Sequence, residues 1–153
     1  MMYKLIDWTE DLHVGIRDLD DQHHILVELL NELHYAIHRR LGLEVCRDVL
    51  ERLRRFADVH FTFEENYLRS GDRVQADRHR EERRELMQQL DALLARIDTL
   101  QSTVSFHRLH KLKVWLLQHI LAADEGISQY RRSDTVHFEA RQARLEKLKP
   151  TLW

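Results

Sequence analysis

The 153-residue sequence contains little that would cross-link or interrupt a chain, with one cysteine, one proline and four glycines. Cys46 has no second cysteine to pair with, which excludes an internal disulfide and favours a role as a small core residue. Pro150 lies almost at the end, so no proline breaks a helix in the body of the chain. Long uninterrupted helices are therefore expected.

The sequence also lacks the features of membrane, secreted and nucleic-acid-binding proteins. No apolar run approaches the length of a membrane span, and residues 1–10 lack the basic start and long apolar stretch of a signal peptide. Acidic and basic residues nearly balance, at a formal net charge of −2, which gives no electrostatic reason to expect nucleic acid. We therefore expect a cytoplasmic protein with neither membrane nor nucleic acid as a partner.

Three short polar or glycine-containing segments divide the chain into four helices of about twenty to thirty residues each. These segments are Gly42, the run 70–72 and the run 99–103, which offers candidate helix caps. The sequence predicts one domain over 1–153, with an N-terminal arm (1–18), a bundle (19–132) and a C-terminal extension (133–153). The fold class is all-α, an up-down-up-down four-helix bundle with a short helical extension.

Apolar residues recur at steps of three and four and predict one inward face on each helix. The eleven histidines are the anomaly of the composition, and histidines lie on all four faces. The predicted inward residues are Leu19, His23, Leu26, Leu30, Leu33 and Ile37; Val49, Leu53, Phe56, His60, Phe63 with Glu64, and Tyr67; His79, Arg83, Leu86, Leu90, Leu93 and Ile97; and Leu112, Leu116, His119, Ala123 and Tyr130.

The inward histidines share one level of the predicted bundle. His23 and His79 lie near the starts of the first and third helices, whereas His60 and His119 lie in the later parts of the second and fourth. Because neighbouring helices run in opposite directions, all four fall near the same end. A lone histidine on an apolar face is usually a hydrogen-bonded core residue, but four at one level indicate a metal site.

Two carboxylates follow these histidines at close spacing. His60 and Glu64 are four residues apart, about 40° around a helix, so both can point at one site. His119 and Asp124 are five apart, about 140° around an ideal helix, which predicts a local irregularity near 121–124. A histidine with a nearby glutamate is common on solvated helices, but four histidines with two acids are the donor mix of a di-iron centre.

The motifs together resemble those of a bacterial hemerythrin. The resemblance implies a four-helix bundle holding an oxo- or hydroxo-bridged di-iron site that reversibly binds O2. The matching residues are Trp8; Val14-Gly15; Asp20-Asp21-Gln22-His23; His60-Phe61-Thr62-Phe63-Glu64-Glu65; His79 with Glu82; and Trp115-Leu116-Leu117-Gln118-His119-Ile120 with Asp124.

The resemblance also implies how the donors are shared between two iron ions. It assigns His23 and His60 to one iron and His79 and His119 to the other. Glu64 and Asp124 are the implied bridges. Leu116 matches a residue of the apolar pocket in which the family binds O2.

Arg83 departs from the family pattern, which usually has a second histidine four residues after the first on the third helix. A guanidinium cannot coordinate a metal, so one iron is expected to lack a ligand. Water or hydroxide could complete the shell, Glu82 could substitute, or the site could hold one iron. An outward Glu82 is favoured, and Arg83 is expected to turn outward or meet Glu81, Glu85 or another acid.

The resemblance implies an oxygen store, carrier or sensor that is not an enzyme. A ferritin-like oxidase would carry a glutamate followed three residues later by histidine on two helices, and only Glu10 and His13 show that spacing. A signalling or adaptor bundle with altered metal competence is the third hypothesis, favoured by Arg83 and by the C-terminal extension. The extension 133–153 could cover its own bundle or dock a partner or second copy.

Overall fold

In the part of the chain that it describes, the computed structural model has four helices that form a closed ring of neighbours. They are α1 (Arg17–His38), α2 (Leu43–Tyr67), α3 (Arg73–Leu100) and α4 (Phe106–Tyr130), preceded by a 3-10 turn at Glu10–Leu12. Consecutive helices contact each other and α4 returns to α1. The all-α four-helix bundle is therefore confirmed.

The structure describes the backbone of residues 4–67 and 73–130, and the side chains of 4–66 and 76–122. The predicted run 70–72 and the extension 133–153 lie outside the described residues. The assignment of 1–153 to a single domain therefore stays a prediction. Each helix in the described part is too short or too polar to cross a membrane.

Gly42 separates α1 from α2 as predicted, whereas the cap of α4 differs from the prediction. Arg40 takes a left-handed conformation (φ 52°) and closes α1, with the Leu41 N–H donating to the Ala36 carbonyl at 3.0 Å. Gly42 follows at φ 105°. The residue that caps α4 is Ser105, whose Oγ accepts from the Arg108 N–H at 3.2 Å. The candidate caps in 99–103 were therefore placed too early.

The predicted apolar faces form the core along the described length of all four helices. Every predicted aliphatic residue of α1, and Leu86, Leu90, Leu93 and Ile97 of α3, are buried. The prediction was too narrow, because each helix of a closed bundle buries the flanks that meet both neighbours. Apart from Cys46, for which a core role was predicted, the buried apolar residues it missed on α2 and α4 are Leu50, Ala57, Phe61, Leu109, Leu117, Ile120 and Leu121.

The N-terminal arm is joined to α1 by buried polar contacts. The Asn31 side chain accepts from the Ile6 N–H at 2.9 Å and donates to the Ile6 carbonyl at 2.8 Å. The Asp20 carboxylate accepts from the Val14 N–H at 2.7 Å and the Gly15 N–H at 3.2 Å. Because α1 begins at Arg17 rather than at Leu19, the arm is two residues shorter than predicted.

Replacing Asn31 with alanine should detach the arm from α1. The variant leaves the buried Ile6 N–H and carbonyl without their partner, so we expect the free energy of unfolding to fall by about 2 kcal/mol or more. Urea denaturation followed by circular dichroism measures this loss. The matched control is Asn66→Ala at an exposed position of α2, for which a change within about 0.5 kcal/mol is expected. Equal losses in both variants would contradict the anchoring role of Asn31.

Candidate metal centre

Four metal-binding side chains meet inside one end of the bundle. His23, His60, Glu64 and His119 each offer a donor atom, and these atoms all lie within 4.8 Å of one another. All four side chains are buried. Buried groups of this kind are stable only when they pair with each other or with a metal ion, and imidazole with carboxylate suits iron.

The bundle geometry brings the four histidines to one level, as the sequence predicts. His23 lies early in α1 and His60 late in α2, and both rings contact each other at 4.8 Å between centroids. His79 lies early in α3, and its Nε2 is 3.2 Å from Oε1 of Glu64. His119 lies in the second half of α4. Antiparallel neighbours therefore place all four rings around one carboxylate.

Glu64 lies at the centre of the cluster with no exposed surface. Its Oε2 is 2.8 Å from Nε2 of His60 and 3.1 Å from Nε2 of His119, whereas its Oε1 faces His79. The Nε2 atoms of His60 and His119 are 3.1 Å apart. Three imidazoles therefore present the same ring nitrogen to the two oxygens of one carboxylate.

The opposite nitrogens of two rings are held from outside the cluster. Nδ1 of His60 lies 2.8 Å from Oε1 of Gln22, and Nδ1 of His119 lies 2.9 Å from Oε2 of Glu82. Each contact directs Nε2 inward. The sequence prediction gave Gln22 no role, and it favoured an outward Glu82, which is wrong. Glu82 was predicted as a possible iron ligand, but the spacing of residues within α3 does not reveal its contact with His119 on α4.

His23 has an unusual environment for a buried polar residue. Among the described side chains, neither of its ring nitrogens has a hydrogen-bond partner, and the same holds for Nδ1 of His79. A buried imidazole without a partner is costly. A metal ion bound at Nε2 would provide the missing partner for His23, so these unpaired donors fit a metal site.

The electrostatics set different protonation states for the donors of the cluster. Burial lowers the pKa of His23, and the neighbouring His60 lowers it further; burial also lowers the pKa of His60. Burial alone would raise the pKa of Glu64, but His119, His60 and His79 hold it well below its usual value. Burial likewise opposes charge on His119, yet Glu64 and Glu82 raise its pKa to about 10. His23 and His60 are therefore neutral imidazoles beside an ionised Glu64, whereas His119 holds a proton that a bound metal would displace.

Aromatic and apolar residues enclose the cluster. Trp115 stacks on the His119 ring at 5.1 Å between centroids with 5° between the planes. Phe61 packs its ring against His119 at 5.3 Å and His79 at 6.4 Å. Leu116, the predicted O2-pocket residue, is buried on α4 one turn before His119. These contacts fix the ligand rings and limit access of water.

The predicted bridge Asp124 lies in the part of α4 whose side chains the structure does not describe. Its role as a metal ligand therefore stays a prediction. The backbone around it is informative, because α4 is a regular α-helix from Phe106 to Tyr130. The irregularity predicted near 121–124 is therefore wrong.

Arg83 turns away from the donors and joins α3 to α2. Its Nη1 lies 3.2 Å from Oε1 of Glu65, and its Nη2 donates to Asp58. The side chain is 30% exposed, and its pKa is raised chiefly by the hydrogen bond to Asp58. The predicted pairing with an acid is correct, but Glu81 pairs with Arg84 instead.

Replacing Glu64 with glutamine should remove most of the metal-binding capacity. The amide keeps the shape of the carboxylate but loses the negative charge that attracts cations, so we expect ferrous affinity to fall by at least about tenfold. Metal content after anaerobic ferrous loading and gel filtration measures this loss. Glu65→Gln makes the same chemical change one residue away and should retain its metal. Equal metal contents in the two variants would contradict the assignment of Glu64.

Comparison with known proteins identifies the family. The sequence model described as Hemerythrin HHE cation binding domain matches residues 14–130. The chain is 24% identical to the bacteriohemerythrin of Clostridium acetobutylicum over 121 residues, which are 76% of this chain and 94% of that protein. It is 26% identical to the myohemerythrin of Theromyzon tessulatum over 117 residues, 76% and 86% of the two chains.

A shorter segment is more similar to a third relative. Over 61 residues, 40% of this chain and 39% of the relative, identity with a bacteriohemerythrin of Pseudomonas aeruginosa is 36%. The family match is the broader result, because it includes every described donor of the cluster. The chain therefore belongs to the hemerythrin family.

Proposed function

We propose that this protein holds two iron ions in the cluster and binds O2 reversibly, as an oxygen store, carrier or sensor. Hemerythrins as a family bind a di-iron centre and O2. The observation that carries the proposal is the buried Glu64 carboxylate, on which the Nε2 atoms of His60, His79 and His119 converge. His23, with no hydrogen-bond partner among the described side chains, adds a further free donor.

The donors divide between two metal positions. In this proposal His23 and His60 hold one iron and His79 and His119 the other, with Glu64 and Asp124 between them. The family resemblance supplies this division. Glu64 lies between the two sets, since its Oε2 is 2.8 Å from Nε2 of His60 and 3.1 Å from Nε2 of His119, whereas its Oε1 faces His79. A carboxylate oriented in this way suits a bridge between two cations.

The residues around the donors favour reversible binding over turnover. When bound, the two irons supply the electrons that O2 takes up on binding and returns on release. Phe61, Leu116 and Trp115 surround the histidines with apolar surface. Such a lining lowers the local concentration of water and protons, which would otherwise assist irreversible oxidation. The proposed role is therefore that of a binding protein rather than an enzyme.

Two alternative functions are a ferritin-like oxidase and a sensing or adaptor bundle, and the structure supports them unequally. Glu10 and His13, the residues spaced as in a ferritin-like oxidase, lie at the 3-10 turn of the arm and outside the helices, which disfavours that class. Arg83 favours a sensing or adaptor bundle with altered metal competence, because it supplies no donor. The cytoplasmic location, and assembly through 133–153 with a partner or second copy, stay predictions.

The proposed function predicts two ferrous ions per chain and a reversible response to O2. Anaerobic titration with ferrous iron should saturate near two equivalents. Admission of O2 should then produce a visible absorbance that disappears on degassing and returns on a second exposure. Saturation at one equivalent would contradict the paired site, and an absorbance change that degassing does not reverse would contradict reversible binding.

Replacing Arg83 with histidine should strengthen iron binding. The imidazole would lie four residues after His79 and add a third histidine donor for that metal position. We expect release of iron to a ferrous chelator to slow by about tenfold, together with slower irreversible oxidation in air. Chelator kinetics and stopped-flow absorbance measure the two rates.

Two variants separate the new donor from other effects of the substitution. Arg84→His makes the same change at an exposed neighbour that pairs with Glu81, and it should leave both rates unchanged. Arg83→Ala removes the contacts with Asp58 and Glu65 without adding a donor. If Arg83→Ala slows iron release as much as Arg83→His does, the gain comes from removing the guanidinium and the predicted coordination is wrong.

A further inference from the structure

His119 and His60 each have a hydrogen-bond partner outside the cluster, and the two partners differ chemically. Nδ1 of His119 meets the carboxylate of Glu82, whereas Nδ1 of His60 meets the side-chain amide of Gln22. The distances are nearly equal, at 2.9 and 2.8 Å. The contacts therefore differ in charge rather than in length.

A charged acceptor changes the donor strength of a histidine more than a neutral acceptor does. Hydrogen bonds to an ionised group are about twice as strong as those between neutral groups. A carboxylate on Nδ1 also draws the ring proton outward, which increases electron density at Nε2 and strengthens its bond to a metal. His119 should therefore be a stronger metal ligand than His60.

Glu82 is held in place for this role by its own helix. It lies three residues after His79 on α3 and reaches across to α4, with 20% of its side chain exposed. The guanidinium of Arg78, one turn earlier, approaches Oε1 of Glu82 at 3.9 Å. Trp115 stacks on the His119 ring, which keeps Nδ1 directed at Glu82. The carboxylate and the ring thus have fixed orientations.

We propose that Glu82 is a positioning residue that strengthens His119 as a ligand and offsets the donor that Arg83 does not supply. Because Gln22 gives His60 only neutral support, the two metal positions are unequal. The inference rests on the proposed function, in which His79 and His119 share a metal position. Arg83 instead contacts Asp58 and Glu65, so Glu82 acts at the metal position that lacks the third histidine usual in the family.

The kinetics of iron release test whether the two metal positions are unequal. In the ferrous-loaded protein, Glu82→Gln keeps a hydrogen-bond acceptor but removes the charge, and it should speed release of one of the two iron equivalents about tenfold. Gln22→Leu should speed release of the other equivalent, and the double variant should show both effects. Glu85→Gln, the same change at an exposed position of α3, should match the wild type. Unchanged rates, or equal acceleration of both equivalents by Glu82→Gln, would overturn the proposal.

A second measurement does not depend on iron or O2. In the zinc-loaded protein, the Nδ1 proton of His119 should resonate further downfield than that of His60 in a nitrogen–proton correlation spectrum, since its acceptor is charged. Glu82→Gln should move it upfield towards the His60 position, and Glu85→Gln should leave it unchanged. An unmoved His119 signal in Glu82→Gln would refute the role of Glu82 even if two irons bind. A shifted signal with fewer than two bound irons would instead refute the proposed function.

Discussion

The interaction on which the rest of this structure depends is the pairing of one buried carboxylate with three imidazoles, one from its own helix and two from other helices of the bundle. Glu64 is ionised and fully buried, and an isolated charge in that environment would be unstable. His60 stabilises it from the same helix, whereas His79 and His119 stabilise it from α3 and α4. The positions of three helices at this end are therefore tied to one functional group.

The apolar core supports this polar centre because it packs the helices together along the lengths next to the site. Leu26, Leu30 and Leu33 continue the face of α1 below His23, and Leu86 and Leu90 continue that of α3 below His79. The histidines therefore occupy core positions, and their cost is offset only by pairing or by a metal ion. Polar contacts from Asp20 and Asn31 close the arm over the same part of α1. Stability and binding thus depend on the same helix faces.

Periodicity along single helices predicted the fold and the meeting of the four histidines, because antiparallel packing converts position along a helix into height in the bundle. Contacts between helices were not predictable in this way. Gln22 and Glu82 lie beside donors in sequence, but their partners His60 and His119 lie on other helices. The left-handed Arg40 gave no signal either, since glycine is the usual residue at such a helix end.

Arg83 makes contacts between helices at a position where the family usually has a metal-binding histidine. A histidine at this position would join α3 to the cluster only through a bound ion. The guanidinium instead joins α3 to α2 through Asp58 and Glu65, whether or not a metal is bound. Such partly exposed pairs contribute at most about 1 kcal/mol each, so their effect on the fold is modest. Their larger consequence is geometric, because they direct the side chain away from the donors and leave the cluster to the four histidines and Glu64.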